Sequence, residues 1–402
     1  MKILVLNSGS SSQKSSVYEI GEALPDFPPS PLWEGKIEWS GNEALLRVRT
    51  ADGQEQTSTV NSAEHADATK RLLASLPAEL HSVMKDRPKI AVVGHRIVNG
   101  GAECFQPSVI DDRVKASIEK MAVFAPLHNR VELEGIRFVE ETLGPVRQVA
   151  VFDTGFHRHM PDAATIYPAA YEWAERGIRR YGFHGINHQY CMERTAQLLE
   201  RKVYDLRIVS CHLGNGCSLA AIRDGHSVDT TMGFTPLEGL MMGTRSGSVD
   251  PGILTFLLRE EKLTGAQLDE LLNKKSGLLG ISGVSSDMRQ IVDAMKQGNT
   301  RAKLAFDIFV HRLRSGIAAM VASIGGIDAL VITAGIGENS PDVRAAACAN
   351  LGFLGVTLDA TKNRISRGDG DISARESKVR VIVLRAQEDW AIAKECWTLF
   401  HH

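Results

Sequence analysis

The sequence predicts an α/β protein built from two similar halves. A short apolar strand, a small polar turn and a return strand begin at Ile3, and the same motif begins again at Ile208, about half of the chain later. A third glycine-rich turn, from residue 335, lies between an apolar strand segment and a helix start. With 402 residues the chain is long enough for two or three domains. The repeated motif favours a duplicated architecture.

Composition argues against several classes of protein. Hydrophobic residues make up 43% of the chain and charged residues 23%, with a formal net charge of −2, as in an ordinary globular protein. No basic stripe is present, which argues against a nucleic-acid partner. The six cysteines have neither CxxC nor zinc-ligand spacing. We therefore expect free thiols in the reducing cytoplasm, and we expect Cys211 and Cys217 to be buried as small hydrophobes.

Two apolar stretches resemble a targeting segment or a membrane span in part. Only four apolar residues separate Lys2 from Asn7, too few for a signal peptide. The apolar run 316–337 is interrupted by two glycines and Asp328. We expect this run to form the end of a helix, a cap and a buried strand, and we expect no membrane partner.

The first predicted hairpin has a strand over Ile3–Leu6, a turn over 7–14 and a return strand over 15–20. The turn is rich in serine and glycine. Lys14 and the serine hydroxyl groups can contact a phosphate, and Asn7 can offer an oxygen to the shell of a Mg²⁺ ion. A plain Ser/Gly hairpin without a ligand is the alternative.

The next segments complete the first predicted half. Strands are predicted over 33–39, 44–50 and 54–60, a helix over 65–76 and a buried strand over 90–98. Arg96 lies at the exit of that last strand, beside two glycines. At this position an arginine can bind an anion or form a surface ion pair, and the segment alone favours neither.

A helix and a strand then lead to two candidate catalytic residues. Asn129 and Glu132 have capping-box spacing and predict the start of a helix that ends at Gly144. A strand over 146–152 follows, and Asp153 stands at its carboxyl end, where open α/β sheets bind ligands. Farther along, His184 lies between glycines; we expect it to be exposed and part of the active site, the alternative being a structural histidine.

The second hairpin is predicted to bind phosphate. A strand over 208–211 and a strand over 217–222 enclose a turn whose glycines let backbone N–H groups approach an anion. The turn consists of His212, Leu213, Gly214, Asn215 and Gly216. The stretch 229–252 follows, and its Met, Phe and Leu residues favour a functional loop over a solvated linker.

Four further segments complete the second half. Thr264 to Gln267 is predicted to cap a helix, and 276–289 is a second Gly/Ser-rich loop. A helix over 302–324 and a strand over 329–333 follow. The turn 335–339 then leads into Ser340 and Pro341, the N-cap and first residue of a helix, which predicts an anion or nucleotide site. A last strand over 379–384 precedes a final helix.

These elements together resemble the duplicated actin-like ATPase (ribonuclease H-like) fold, two α/β domains with the active site in the cleft between them. We expect an N-terminal domain of residues 1–153 plus 386–402 and a C-terminal domain of residues 154–385. The same fold would suit a sugar kinase, a chaperone ATPase or a filament protein.

Several longer motifs narrow this choice, because the chain resembles the acetokinase family from end to end. The matching segments are 4–14, 94–101, 125–129, 152–157, 179–185, 212–216, 229–252, 276–283 and 334–340. The resemblance implies a phosphotransferase that moves the γ-phosphoryl group of ATP directly, in line, to acetate, giving acetyl phosphate and ADP reversibly. It also implies Mg²⁺, with Mn²⁺ as a possible substitute, and a homodimer. By the same resemblance, the N-terminal domain would be the acyl and phosphate side, and the C-terminal domain would serve nucleotide binding and dimerisation.

The resemblance assigns roles to matching positions. Asn7 and Glu388 would hold the metal environment. The ATP-binding residues would be Lys14, His212, Leu213, Gly214, Asn215, Gly216, Asp287, Met288, Arg289, Gly335, Ile336, Gly337, Glu338 and Asn339. Arg96 would bind the carboxylate, and His184 and Arg245 would stabilise the transferring phosphoryl group. The pocket for the methyl group would be lined by Val98, Leu127, Phe183 and Pro236.

Asp153 has two possible roles. The family assigns it acid/base catalysis. A carboxylic acid with a pKa of about 4 needs no base at pH 7, however, and this favours an Asp153 that orients Mg²⁺-bound water or Asn7.

The sequence departs from the family pattern at three places. Asn99 is found where the family has a histidine, and Arg130 is found where it has a proline. Residues 385–387, which precede Glu388, replace the Pro-Thr-Asn that the family has there. The last departure bears on the metal assignment of Glu388. A propionate or butyrate kinase of the same family is the nearest alternative function, since one methylene is worth only about 1–3 kcal/mol. A chaperone or filament ATPase of the actin-like fold is the alternative from another class.

Overall fold

The computed structural model describes residues 1–9, 12–40, 43–61, 65–77, 90–101, 103–122 and 129–401. The chain forms two compact units, Met1–Gly155 with Gln387–His402, and Phe156–Ala386. The domain boundaries that the sequence predicts, after residues 153 and 385, lie within two residues of these bounds. The roles expected for the two domains stay predictions.

The first unit contains one mixed sheet. Its strands are β1 (Lys2–Ser8), β2 (Ser12–Glu19), β3 (Trp33–Ser40), β4 (Glu43–Thr50), β5 (Glu55–Asn61), β6 (Val92–Ile97), β7 (Ser108–Val109) and β8 (Arg147–Phe152). They lie in the order β5-β4-β3-β2-β1-β6-β8-β7. β1 and β2 are antiparallel, whereas β1, β6 and β8 are parallel. The carboxyl ends of these three strands therefore meet at one edge of the sheet.

Helices cover this sheet. They are His65–Ala74, Asp112–Met121, Asn129–Leu143 and Glu388–Phe400. The C-terminal helix packs closely because β6 carries a glycine: a Cβ on Gly94 would lie 2.6 Å from the Cys396 sulfur and 2.7 Å from a methyl group of Ile392. This close approach fixes the start of the helix, where Glu388 and Asp389 lie.

The second unit repeats the strand pattern. Its strands are β9 (Ile208–Leu213), β10 (Cys217–Arg223), β11 (His226–Thr230), β12 (Ala329–Thr333), β13 (Gly370–Asp371) and β14 (Arg380–Leu384), in the order β11-β10-β9-β12-β14-β13. β9 and β10 form an antiparallel hairpin, and β12 lies parallel to both β9 and β14. The order β2-β1-β6-β8 of the first unit thus recurs as β10-β9-β12-β14, and the predicted pair of hairpins is confirmed.

The second unit also contains most of the helices. They are Asp162–Thr165, Glu172–Glu175, Gly185–Leu198, Pro251–Glu260, Gly265–Lys274, Gly277–Ser282, Met288–Lys296, Thr300–Ile324, Ala334–Asn339, Pro341–Cys348 and Ala360–Ile365. Single 3₁₀ turns occur at Gly155–His159, Val203–Asp205 and Gly352–Leu354. In the described part of the chain, no helix has the length and apolarity that a membrane crossing requires. All six cysteines are free thiols, and Cys211 and Cys217 are buried, as predicted; the other four are buried as well.

Three predicted helix starts, at Thr264, Ser340 and Asn129, are confirmed, but the capping box predicted at Asn129 does not form. Thr264 and Gln267 form a capping box, and Ser340 accepts from the Val343 N–H. At Asn129, however, the amide nitrogen donates to the carbonyl oxygens of Asn99 and Ile118, at 2.9 and 3.1 Å. The Glu132 carboxyl group accepts from the backbone of Val98. The Glu132 carboxyl group, which the capping box would use, thus accepts from a residue distant in sequence.

Two predicted loops are partly helical. The segment 276–289 contains helix Gly277–Ser282, and Asp287 caps the next helix by accepting from the Arg289 N–H at 2.8 Å. The predicted turn 335–339 belongs to helix Ala334–Asn339, in which the Asn339 amide donates to the Gly335 carbonyl oxygen at 2.9 Å. Short helices with several glycines give little periodic signal, so the sequence favoured loops.

Candidate active site

The carboxyl edge of the first sheet gathers an amide and two carboxylates. The Asn7 amide nitrogen donates to Glu388 Oε2 at 3.1 Å and to Asp389 Oδ1 at 2.8 Å. The Ser16 hydroxyl donates to the other oxygen of Asp389, also at 2.8 Å. Asn7 and Glu388 are therefore adjacent despite the unusual residues before Glu388. Burial raises the pKa of Asp389, while the nearby Lys14 charge and the two hydrogen bonds lower it.

Arg96 and Asp153 form an ion pair at the same edge. Arg96 Nη2 lies 2.6 Å from Asp153 Oδ2, and the two side chains are 12% and 0% exposed. Arg96 also donates to the carbonyl oxygen of Ser8 at 3.3 Å. Burial by itself lowers the pKa of Arg96, but the carboxylates of Asp153 and Glu388 raise it above its ordinary value, so the guanidinium stays cationic. Arg96 thus forms an ion pair that is buried and not at the surface, and anion binding by this residue stays a prediction.

Glu132 lies beneath this pair, and the sequence did not single it out for the site. Its two carboxyl oxygens accept from the Val98 N–H at 3.1 and 3.2 Å. Ser8, Arg96 and Glu132 border a cavity of about 20 Å³, enough for one water molecule. Burial raises the pKa of Glu132 to about 8, although the Arg96 charge and the Val98 hydrogen bond lower it.

In the second unit, His184 lies at the start of a helix and contacts one hydroxyl group and one other histidine ring. It is the N-cap of helix Gly185–Leu198, with φ 57°, a left-handed conformation. Its Nδ1 lies 2.9 Å from the Ser218 hydroxyl, and its ring stacks on His212 with centroids 4.0 Å apart. The ring is half-buried, so the predicted full exposure is wrong. Packing by β9 and β10, which the local glycines do not reveal, is the reason.

A chain of hydrogen bonds continues behind His184. The Ser218 hydroxyl lies 2.8 Å from His188 Nε2, and His188 Nδ1 lies 2.9 Å from the Ser210 hydroxyl. Burial lowers the pKa of His188 well below its ordinary value, and the neighbouring histidines lower it further. His188 is therefore neutral, with one donating and one accepting nitrogen. Through Ser218 it restricts the hydrogen bond that His184 can make.

Arg245 and the turn 212–216 lie beside the His184 ring. An added Cβ on Gly216 would lie 3.3 Å from the His184 ring and 3.6 Å from Arg245 Nη1. Arg245 Nη1 donates to the Pro236 carbonyl oxygen at 3.2 Å. The Gly243 N–H donates to the Asn215 carbonyl oxygen at 3.0 Å. The stretch 229–252 is thus fastened to the turn, as expected of a functional loop and not of a linker.

Two other segments predicted to bind nucleotide lie in the second unit, one at the start of helix Met288–Lys296 and one in helix Ala334–Asn339. Helix Ala334–Asn339 approaches the turn 212–216, since an added Cβ on Gly337 would lie 3.6 Å from the Leu213 Cβ. At the other segment, the Arg289 guanidinium pairs with Asp287 at 2.6 Å and is 81% exposed. The structure therefore brings the 335–339 segment to the turn and leaves Arg289 at the surface.

Arg344 is a further residue that the sequence did not reveal. It is 1% exposed. Its guanidinium donates to the carbonyl oxygens of Gly337 and Glu338 at 2.7 Å, and to both oxygens of Asn363. It therefore holds the C-terminal end of helix Ala334–Asn339. No local motif distinguishes this arginine from an exposed one.

Comparison with known proteins gives the family. The sequence profile of the acetokinase family matches residues 2–394. The acetate kinases of Trichormus variabilis and Gloeobacter violaceus are each 54% identical, over 100% and 99% of both chains respectively. The chain belongs to the acetokinase family. The predicted family and enzyme class, a phosphotransferase with a carboxyl acceptor, are confirmed.

Solved structures agree with the fold of this acetokinase family member. The acetate kinase of Porphyromonas gingivalis is 41% identical and superposes with a TM-score of 0.88, over 99% of both chains. A propionate kinase from Francisella tularensis is 35% identical with a TM-score of 0.88, over 98% of both chains. The predicted fold class of two α/β domains is thereby confirmed. The roles of single residues stay predictions.

The candidate substrate-pocket residues have different surroundings. Val98 and Phe183 are 3% and 1% exposed, and Pro236 is half-buried. The Phe183 carbonyl oxygen accepts from His157 Nε2 at 3.1 Å. Leu127 lies outside the described residues. Val98 is adjacent in the chain to the Arg96 strand, whereas Phe183 and Pro236 border His184 and Arg245.

The residues around Asn7 suit a magnesium ion. Mg²⁺ in proteins prefers oxygen ligands and commonly takes one or two carboxylates together with substrate phosphates. Glu388 and Asp389 supply carboxylate oxygens within hydrogen-bond distance of one amide group. Across the described ranges, no cluster of three or more His, Cys, Asp and Glu residues has the geometry of a metal site. The donor set thus fits a metal shared with phosphate groups, not an all-protein cage.

Proposed function

We propose that this acetokinase transfers the γ-phosphoryl group of ATP directly to acetate, and back from acetyl phosphate to ADP. The observation that carries the proposal is the grouping of the Arg245 guanidinium and the His184 ring around Gly216. In phosphoryl transfer, negative charge is spread over three equatorial oxygens, and fixed donors lower the barrier by stabilising it. A guanidinium, an imidazole and the backbone N–H groups of a glycine turn are such donors.

Arg96 is the proposed carboxylate-binding residue. It is cationic and part-buried, and one of its nitrogens contacts a backbone carbonyl oxygen that a charged ligand can replace. Arginine binds carboxylates through two parallel hydrogen bonds, which fixes the direction of the attacking oxygen. The Asp153 ion pair supports a role for Asp153 in holding Arg96, in addition to the orientation of metal-bound water. Acetate needs no base because it is already ionised at pH 7.

Asn7, Glu388 and Asp389 are the proposed residues for Mg²⁺. When bound, the ion would neutralise charge on the β- and γ-phosphates. The carboxylates of Glu388 and Asp389 would hold it from the protein side, and Asn7 would orient both. Lys14, which faces Asn7 across the hairpin register, is proposed to contact phosphate. Mn²⁺ has similar ligand preferences and should substitute.

Acetate is proposed as the preferred acid, with propionate as the alternative. A propionate kinase has the same TM-score against this chain as an acetate kinase. Similarity of the backbone therefore does not show whether acetate or propionate is the preferred substrate. The identity of 54% with full-length acetate kinases favours acetate.

A hydroxamate assay tests the reaction. The protein is incubated with ATP, Mg²⁺ and hydroxylamine, and acetate, propionate and butyrate are offered in turn. We expect hydroxamate from acetate, a loss of about 10²–10³-fold in Arg245→Ala, and full activity in Arg223→Ala. Arg223 is the matched control because its side chain is 48% exposed and its ion pair is with its neighbour Asp224. ATP hydrolysis without hydroxamate would replace the proposal with an ATPase of the actin-like fold.

We further propose that the chain forms a homodimer through helix Pro251–Glu260. No residue of this helix is buried, and Ile253, Phe256 and Leu258 are 49%, 48% and 42% exposed. A second copy of the same apolar face is the partner that covers it with matching chemistry. Sedimentation of the wild type should give a dimer and sedimentation of Phe256→Asp a monomer. A monomeric wild type would overturn the proposal.

The proposed location is the cytoplasm, which the six free thiols support. Fractionation of cells that express the chain should recover it with cytoplasmic proteins. Recovery in the membrane or secreted fraction would contradict this.

A further inference from the structure

Glu132 is a buried acidic residue whose predicted capping role is wrong. It lies in the first turn of helix Asn129–Leu143 and is 4% exposed. Both of its carboxyl oxygens point at one backbone group, the Val98 N–H, at 3.1 and 3.2 Å. A buried carboxyl group is costly unless it is hydrogen-bonded, so its presence here calls for a reason beyond helix formation.

Val98 is the first residue after β6, which ends at Ile97. Val98 follows Arg96 by two residues, so a shift of the Val98 backbone displaces the end of β6 that carries Arg96. The Ile97 carbonyl oxygen accepts from the Asp153 N–H at 2.8 Å, which holds the other side of the same segment. The Asp153 N–H and the Glu132 carboxyl group therefore both hold the short stretch that carries Arg96 and Val98.

We propose that Glu132 is a positioning residue for the acid-binding site: by holding the Val98 backbone, it sets the distance between the guanidinium of Arg96 and the apolar wall at Val98. This rests on the proposed function of Arg96. A longer acid needs more room between these two groups, so Glu132 controls the choice between acetate and propionate as well as affinity. The cavity of about 20 Å³ beside Arg96 and Glu132 gives the segment room to shift when the hydrogen bond is lost.

The charged and hydrogen-bonding groups around Glu132 determine which substitution best preserves its interactions. Arg96 from β6 and Asp153 from the end of β8 are the charged groups that act on Glu132, and Val98 is its hydrogen-bond donor. Burial raises the pKa of Glu132 to about 8, so the group is mainly neutral at pH 7. Glutamine is neutral, has nearly the same shape and keeps a carbonyl oxygen for the Val98 N–H. Leucine fills similar space and has no acceptor.

The experiment compares Glu132→Gln and Glu132→Leu with Glu141→Leu, an exposed residue on the same helix. The values of kcat and KM are measured for acetate, propionate and ATP. We expect Glu132→Leu to lower kcat/KM for acetate by about 10- to 100-fold, because small displacements of reacting groups have effects of this size. The acetate-to-propionate ratio should change about 10-fold, and KM for ATP should stay within about two-fold of wild type. Glu132→Gln and Glu141→Leu should resemble the wild type.

Three outcomes would overturn the inference. They are unchanged acetate kinetics in Glu132→Leu, an equal rise of KM for ATP and for acetate, and a glutamine variant as impaired as the leucine variant. If Glu132→Leu does not fold, Glu132→Asp, which withdraws the acceptor by one methylene, should shift the acetate-to-propionate ratio while KM for ATP is kept; an unshifted ratio would overturn it. Failure of the proposed function looks different, since the wild type itself would then form no hydroxamate.

Discussion

Replacing Asp153 with asparagine removes one charge from the Arg96 pair and keeps the side-chain shape. The two groups are 2.6 Å apart, and Asp153 is fully buried. Breaking a buried ion pair on one side typically costs about 3–5 kcal/mol, because the remaining charge stays buried without its partner. Glu388 still acts on Arg96 through its charge, so we expect a loss near the lower end of that range.

Urea unfolding of the wild type and of Asp153→Asn measures this loss, with Asp26→Asn as an exposed control from the same unit. The double variant Arg96→Met with Asp153→Asn should recover part of the lost stability, since it no longer buries an unpaired cation. A loss of under about 1 kcal/mol in Asp153→Asn would refute a strong pair. So would a double variant in which the two effects simply add.

The same variant separates two roles of Asp153 in the reaction. If Asp153 holds Arg96, then kcat/KM for acetate should fall by about 10²–10³-fold, with little change in KM for ATP. The dependence of the wild-type rate on pH should show no step that disappears in Asp153→Asn, because acetate is ionised throughout the neutral range. A step that is present in the wild type and absent from the variant would instead establish acid/base catalysis by Asp153.

Three further predictions concern groups behind the site. Ser218→Ala should lower kcat about 10-fold with KM for ATP unchanged, because the His184 ring loses a hydrogen bond that orients it; equal kcat in Ser218→Ala and wild type would exclude this role. Arg344→Met should raise KM for ATP and lower the free energy of unfolding by about 1–3 kcal/mol, since buried carbonyl oxygens lose their donor; calorimetry and ATP titration measure both, and an unchanged KM would contradict the effect on nucleotide binding. The pKa of Glu132 rises from 4.5 to about 8 on folding, so the folded chain keeps a proton that the unfolded chain has lost, and the free energy of unfolding should fall as pH rises between these values. Glu132→Gln should flatten this fall in urea titrations at pH 5, 7 and 8.5, and identical slopes in both proteins would contradict the assignment.

Sequence patterns correctly predicted the structural features that depend on interactions between residues close in the chain. The hairpins at β1–β2 and β9–β10 follow from apolar runs around glycine turns, and the Thr264 capping box follows from residues three apart. At Asn129 the helix begins as predicted but the capping box does not form, because the Glu132 carboxyl group accepts from Val98, which is distant in sequence. The burial of His184 likewise depends on Ser218, from a strand that is not adjacent in the chain. Tertiary partners, not propensity, decide such cases.

The same limit explains which site residues the sequence revealed. Motifs identified residues proposed to contact substrates, such as Arg96 and His184. They did not identify Glu132, Ser218 or Arg344, each of which holds one of those residues or segments through a buried hydrogen bond. A buried glutamate or arginine has the same sequence appearance as an exposed one. Only the fold shows that its charge or hydrogen bonds are enclosed.

The two halves of the chain share a strand order but not the electrostatics of their first hairpin. At β1–β2, Asn7 faces two carboxylates at the start of the final helix, an arrangement that attracts a cation. At β9–β10, the corresponding turn is bordered by Arg245 and by the rings of His184 and His212, an arrangement that attracts an anion. A metal–nucleotide complex needs both kinds of site, because the ion and the phosphates carry opposite charges. The duplicated hairpins thus differ in charge, and the proposed metal-binding and phosphate-binding roles correspond to this difference.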